Sequence, residues 1–333
     1  MSVFTGRVLP LACLGWILAL SACETSVAPR ADTDRHFSMY GVVNPEADSQ
    51  GVIVFPIENE LRVLPAERLD AIVTSTDLET GDQFVWSDSM VFRENGVVHV
   101  YWAPFRAAHD RTYRINVASA SGERHSEVTV TVPPLAEVVP GGVFEDIWIR
   151  QNVAVTAPVD RLNFLLVRYV IKAKLPPASL AYPVLPPDNQ KDFGAPPPPT
   201  DPTAPPAQDS LIVQRLFVPI AYSDKAELSG EGWTIPINFS HDFREIRQRV
   251  SRRGNSDAAY GIRLEAIEIS LVAANAEWAA PGDQYEANVL IQPGAMTNVK
   301  GGFGFVGAGY LLEHRYQLPE DVLTRIGFRP DND

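Results

Sequence analysis

Residues 298 to 310 read NVKGGFGFVGAGY and contain Gly302-Phe303-Gly304-Phe305-Val306-Gly307, the G-x-G-x-x-G spacing that lets a backbone approach a pyrophosphate. Glu320 and Asp321 follow roughly 20 residues on, where a dinucleotide-binding unit keeps its ribose ligand. That chemistry also requires the loop to follow a strand and open a helix whose N-terminus meets the phosphates. After Gly309 the chain continues Tyr310-Leu311-Leu312-Glu313-His314-Arg315-Tyr316, with Tyr310, Leu312, His314 and Tyr316 at period two, which is a strand. Pro319 places Glu320 and Asp321 at the start of a short helical turn. The glycines therefore read as part of a strand or bulge approached closely by its neighbours, with Phe303 and Phe305 burying on one face and the glycines opening the other.

Other reactive residue types are present without a constellation. Ser240-His241-Asp242 sets the three triad types side by side, but a triad is assembled from separated segments, so adjacency speaks against it. The histidines His36, His99, His109, His125, His241 and His314 form no i, i+4 ligand pair. Asp32, Asp34 and His36 could chelate a cation but lack the glycine turn of a calcium loop. With 41 acidic residues, no carboxylate pair stands out for glycoside hydrolysis. Trp86, Trp102, Trp148, Trp233 and Trp278 could stack on sugar rings, although isolated tryptophans in strands are usually packing residues. No catalytic residue, metal ligand or cofactor is assigned.

The elements around these residues carry more information. Val8 to Leu20 is an apolar run of 13 residues after Arg7, short of the roughly 20 needed to cross a bilayer but suited to a secretory signal peptide. Leu20-Ser21-Ala22-Cys23 has the pattern of a bacterial lipobox, so residues 1–22 are expected to be removed and Cys23 to carry lipid. Two or more acyl chains anchor stably where a single myristoyl chain is marginal. The partner implied is thus a membrane, reached through lipidated Cys23, with residues 23–35 as a tether and Glu24 favouring the outer membrane. Cys13 and Cys23 are the chain's 2 cysteines, which leaves the mature chain no disulfide and no cysteine metal site. Loss of Arg7 from the 28 basic residues leaves 27 against 41 acidic ones, a net of −14 that argues against nucleic acid.

Two domains follow the tether. In residues 36–136, Ala71–Asp77 and Asp82–Trp86 flank Leu78-Glu79-Thr80-Gly81 as a hairpin, with Gly81 at a positive-φ position. Tyr113, Ile115 and Val117, then Val128, Val130 and Val132, alternate with polar residues as in antiparallel sheets with one wet face. The reading is mainly β: an immunoglobulin- or fibronectin-like sandwich, with Tyr113 placed as a tyrosine corner. Residues 137–333 form a second β-rich domain with one or two short helices. Its strand from Phe164 to Leu175 puts Leu165, Val167, Tyr169, Ile171, Ala173 and Leu175 on one face. An insertion at 176–209, holding 12 of the chain's 28 prolines between Pro176 and Pro206, reads as a disordered loop or a docking strip. A helix capped by Ser240 and stopped by Gly254 carries the stripe Phe243, Ile246 and Val250. Arg244, Arg247, Arg249, Arg252 and Arg253 beside that stripe are the candidate partner contact, or simply a solvated face.

Asn298-Val299-Lys300-Gly301-Gly302-Phe303-Gly304-Phe305-Val306-Gly307-Ala308, preceded by Gln292-Pro293-Gly294, resembles the closing segment of the Bacteroidota lipoproteins grouped as domain of unknown function 4249. The lipobox, Asp70–Asp77, Thr112–Val117 and Val132-Pro133 occur in the order seen there. Val306 stands where that pattern has an aromatic, and the proline-rich insertion is not part of it. The resemblance brings no catalytic residues. It implies an accessory envelope lipoprotein working beside a TonB-dependent outer-membrane receptor. The expectation is therefore a non-enzymatic, membrane-anchored binding protein; the alternatives are an envelope hydrolase acting on glycans or peptides, and a purely structural envelope protein.

Overall fold

The computed structural model describes residues 34–57, 67–93, 96–175, 212–230, 232–253, 261–278 and 297–329. The expected signal peptide, Cys23, most of the expected tether, the proline-rich insertion and Gly254 lie outside the described residues, and of Arg253 only the backbone is described.

Period-two sequence yields strands throughout. The first eight are β1 (Phe37–Val43), β2 (Gln50–Pro56), β3 (Ile72–Asp77), β4 (Gln83–Val85), β5 (Ser87–Arg93), β6 (Gly96–Ala103), β7 (Thr112–Ala118) and β8 (His125–Thr131). Then come β9 (Val138–Glu145), β10 (Ile149–Thr156), β11 (Arg161–Leu175), β12 (Ile212–Ala221), β13 (Glu227–Ser229) and β14 (Gly232–Asn238). Helix α1 (Phe239–Arg253), β15 (Arg263–Ala274), β16 (Gly302–Tyr316) and α2 (Glu320–Ile326) complete the order. An eight-stranded sheet runs β12-β11-β15-β16-β1-β2-β6-β5, and two four-stranded sheets, β4-β3-β7-β8 and β13-β14-β10-β9, cover its two halves. The protein is thus mainly β, with an immunoglobulin-like first sandwich and a second β-rich unit carrying two short helices.

The glycine-rich strand joins the two. From Gly302 to Ala308, β16 pairs with β1 in parallel, unlike the antiparallel pairing expected throughout. From Gly309 to Tyr316 it pairs antiparallel with β15. The expected boundary at residue 136 therefore does not hold for this strand, whose Val306 and Ala308 belong to the first core and Tyr310 to the second. Parallel pairing at close range also reverses the expected faces. Gly302 and Gly304 are buried in the row that continues to Val306, Ala308 and Tyr310, while Phe303 and Phe305 lie half-buried on the other side. A Cβ on Gly302 would meet the Phe37 carbonyl oxygen at 2.0 Å, and one on Gly304 the Met39 carbonyl oxygen at 2.2 Å.

The edge of β16 opposite β1 is closed by amide side chains. Asn298 Nδ2 donates to Val306 O at 2.7 Å while its Oδ1 accepts from Val306 N at 3.1 Å. Asn275 Oδ1 accepts from Ala308 N at 3.2 Å and its Nδ2 reaches Thr131 O at 3.0 Å. These amides supply the donors and acceptors a neighbouring strand would supply.

Local readings elsewhere match the coordinates. Gly81 has φ 79° in the β3–β4 turn, where Asp77 Oδ1 accepts from the N–H groups of Glu79 and Thr80 at 2.9 and 3.1 Å. Tyr113 is buried and its hydroxyl accepts from Ala108 N–H at 2.9 Å, as a tyrosine corner does. The start of α1 differs: Asn238 Oδ1 accepts from His241 N–H at 3.0 Å and caps the helix, while Ser240 Oγ accepts from Ile149 N–H at 3.0 Å on β10.

One face departs from the wet-face expectation. The outer side of β16, β1, β2, β6 and β5 in the first sandwich presents Phe303 and Phe305, Ser38, Tyr40 and Val42, Gly51, Ile53 and Phe55, Val98, Val100 and Trp102, and Ser87, Ser89 and Val91. None of these is charged; Arg93, whose side chain lies outside the description, holds the next position of the β5 row at the margin of the face. Tyr40 is 45 % exposed, Val42 42 % and Trp102 46 %. The Trp102 ring lies where a Cβ on Gly51 would come within 2.7 Å of it, so the ring is laid flat along β2.

Gly304 has φ 98° and no room for a methyl group, whereas Gly142 has nothing within 4 Å of its would-be Cβ. Gly304→Ala is expected to lower unfolding stability by about 3 kcal/mol or more. Gly142→Ala should change it by less than about 0.5 kcal/mol. Urea denaturation of both variants provides the measurement.

Candidate functional site

The second sandwich opens on one side. Because β1 stops at Val43, opposite Ala308, no described strand pairs with residues 309–316 of β16 on the side away from β15. Strand β9 is the edge of the facing sheet. Between the two edges lie adjoining hollows of about 540 and 440 Å³ that share Pro140. Gly141, Gly142, Val143, Gln151, Tyr316 and Asp321 line the first, and Val138, Leu312, Glu313 and His314 the second.

Local sequence sets this geometry. Pro140 lacks an N–H, and the β9–β10 register shifts between Gln151 and Val153, so a bulge lifts β9 at Pro140-Gly141-Gly142. A Cβ on Gly141 would sit 2.7 Å from Asn152 O. Gln151, nearly fully buried, donates from Nε2 to Gly141 O at 2.6 Å and accepts the Tyr316 hydroxyl on Oε1 at 2.8 Å. The floor is therefore a fixed amide–phenol pair beneath two strand edges whose backbone groups are open to an added strand.

Behind that floor lies a polar cluster. The Asp242 side chain on α1 is fully buried and accepts the Tyr169 hydroxyl at 2.5 Å and the Tyr222 hydroxyl at 2.6 Å. The Tyr222 oxygen also accepts from Asn238 N–H at 3.2 Å. Burial raises the Asp242 pKa above its usual value, against the lowering effect of the two phenols and of His241. Burial first, and then the Asp242 charge, push Tyr169, Tyr222 and Tyr316 upward as well. A carboxyl this enclosed holds α1 against β11 and β12 and meets no solute. The Ser240-His241-Asp242 run is not a relay: Ser240 bonds to β10, the His241 ring is 57 % exposed, and His241 Nδ1 lies 3.5 Å from Asp242 Oδ1.

Among the described side chains, the arginines of α1 point to different partners. Arg244 stacks over Trp148 at 5.4 Å and Arg247 over Phe243 at 5.9 Å. Arg249 donates to Pro219 O at 2.8 Å and pairs with Glu245, while Arg252 is exposed. Acidic residues on the outer face of the second half-sheet are committed too: Glu268 to Arg168 and Arg315 at 3.4 and 3.1 Å, Glu265 to Lys172 and Arg215 at 3.0 and 2.6 Å. Lys172, outweighing burial and aided by Arg215, holds Glu265 below the usual carboxylate range. Of the tryptophans, Trp86 is buried against Ser75, Trp148 and Trp233 are half-buried, Trp278 packs on Phe305, and Trp102 is exposed. Among the described residues no three His, Cys, Asp or Glu side chains gather as a metal site.

Sequence reasoning did not find Gln151, Tyr316 or the β9 edge. The usable signal was Pro140-Gly141-Gly142, an interrupted strand beside a long alternating one. Compared with protein-family models and with curated proteins, the chain matches none.

The folded-state pKa of Asp242 lies above the unfolded value, so the fold holds this proton more tightly than the unfolded chain does. Its contribution to stability is complete below the unfolded pKa and is lost as pH rises through the folded pKa. Asp242→Asn should remove that component, so that stability relative to wild type improves from acid toward neutral pH in denaturant titrations. Tyr169→Phe, which takes a donor from the carboxyl, is expected to cost about 1–3 kcal/mol.

Proposed function

We propose that this chain is a bacterial envelope lipoprotein, anchored through Cys23, that acts without catalysis by binding an extended segment of a partner protein in the groove between β9 and β16. The observation that carries the reading is the pair of open strand edges facing one groove, a geometry suited to strand addition, in which backbone bonds give affinity and alternate side chains give selection. Val138, Leu312 and His314 offer positions for such side chains, and Glu137 and Glu313 favour a basic segment.

The lipobox supports the anchor, and the resemblance of residues 298–308 to the closing segment of the domain of unknown function 4249 lipoproteins supports an outer-membrane receptor as the partner. The buried Asp242 and the ion-paired Glu265 and Glu268 offer nothing to the hydrolase alternative.

A photo-crosslinker at His314, in intact cells, should capture one outer-membrane protein. Capture should fall about tenfold with Leu312→Arg and disappear with Cys23→Ala. Equal capture by all three forms, or none by the first, would reject the reading. Palmitate labelling that persists in Cys23→Ala would reject the anchor by itself.

A further inference from the structure

We infer that the apolar outer face of the first sandwich rests on the lipid bilayer, so that the protein lies on the membrane through a sheet face in addition to its acyl chains. The inference rests on the anchored reading above, but the surface is observed independently of it. In a chain with 21 % charged residues, an outer sheet face whose middle is built from Tyr40, Val42, Ile53, Phe55, Val100 and Trp102, with charged positions only at its margins, Arg35 beside Phe303 and Arg93 at the end of β5, is an exposed apolar surface, and such surfaces meet another protein or a membrane.

Lipid is the occupant that the chain's layout favours. Ten residues, 24 to 33, separate Cys23 from Asp34, a reach of at most roughly 40 Å when extended. The next residue, Arg35, lies over the Phe303 ring at 4.2 Å, so the tether enters the fold at this face. Across its five strands the face measures about 20 Å, which the tether easily spans. Tyr and Trp rings with their polar ends at the rim suit the headgroup boundary, and a single cation beside them can meet a phosphate. Because charged positions stand only at the margins of the face and the mature chain is strongly acidic, attraction is mainly apolar and does not depend on anionic lipid.

The test uses mature protein, residues 23–333, with Ser89→Cys on this face as the sole free thiol, labelled with an environment-sensitive fluorophore. Two forms are compared: the acylated protein, whose Cys23 is blocked by lipid, and a Cys23→Ala form without acyl chains. On neutral phosphatidylcholine vesicles with brominated chains, quenching of the label is expected in the acylated form. Vesicle binding by the non-acylated form is expected to be weaker, insensitive to salt, and reduced about tenfold by Val42→Lys, which adds one charge at an exposed position and removes no core packing. Glu227→Lys, exposed on β13 of the second sandwich, should leave it unchanged. A label that stays unquenched in both forms overturns the inference, as does a dimer in sedimentation that Val42→Lys disperses, since a second copy would then own the face. If Cys23 proves unacylated, quenching and Val42-dependent binding of the non-acylated chain still uphold the surface while the anchor falls.

Discussion

A single strand has to satisfy two sheets at once, and the rest of the structure is arranged around that requirement. In its first half β16 must lie parallel to β1, at the opposite end of the chain, and in its second half antiparallel to β15. The parallel half brings carbonyl oxygens of β1 to within 2.0 and 2.2 Å of where side chains would begin, so only glycine can occupy Gly302 and Gly304. Closing a loop that spans nearly the whole chain costs entropy that grows only slowly with length, but it is recovered only when both ends are in place. The first sandwich is therefore incomplete until the last strand has arrived. Tyr310, at the crossover, fixes the passage between the units: its hydroxyl accepts from Ala136 N–H and donates to Pro134 O, both at 2.7 Å.

The two sandwiches distribute polarity in opposite ways. The second buries a carboxyl, three phenols and an amide at the interface of α1 with β11, β12 and β10, and carries ion pairs of Arg168, Lys172, Arg215 and Arg315 with Glu265 and Glu268 on its outer sheet face. The first has an apolar core, a buried His99–Asp88 pair at its rim, and an outer face whose charged positions, Arg35 and Arg93, stand at the margins. Enclosed polar groups with matched partners favour a single arrangement of helix on sheet, while an uncovered apolar face requires something outside the fold. The surface proposed to meet lipid and the groove proposed to take a partner thus lie on different units.

Much of the architecture was legible because it is local. The alternation at Tyr113–Val117, the turn at Gly81, the tyrosine corner and the stripe on α1 are all properties of neighbouring residues. What was hidden depends on partners far away in sequence. The glycines of β16 face inward because β1 lies beside them, and nothing in NVKGGFGFVGAGY names β1. Asn238 caps α1 in place of Ser240 because Ser240 is drawn to Ile149 on another strand. One clue went unread: Val52-Ile53-Val54-Phe55 has no alternation, the pattern of a strand apolar on both faces, and it is the centre of the apolar outer surface.

The position of β1 has a mechanical meaning. It is the first described strand, and it sits between β16 on one side and β2 on the other. Tension applied through residues 23–36 along the strand axis loads every backbone bond of Phe37–Val43 in shear, on both edges together, where an edge strand would peel open one bond at a time. A body held by its leading segment against flow or a moving partner is thereby gripped at the strand best placed to resist extraction, and the force passes through β16 into both sandwiches at once.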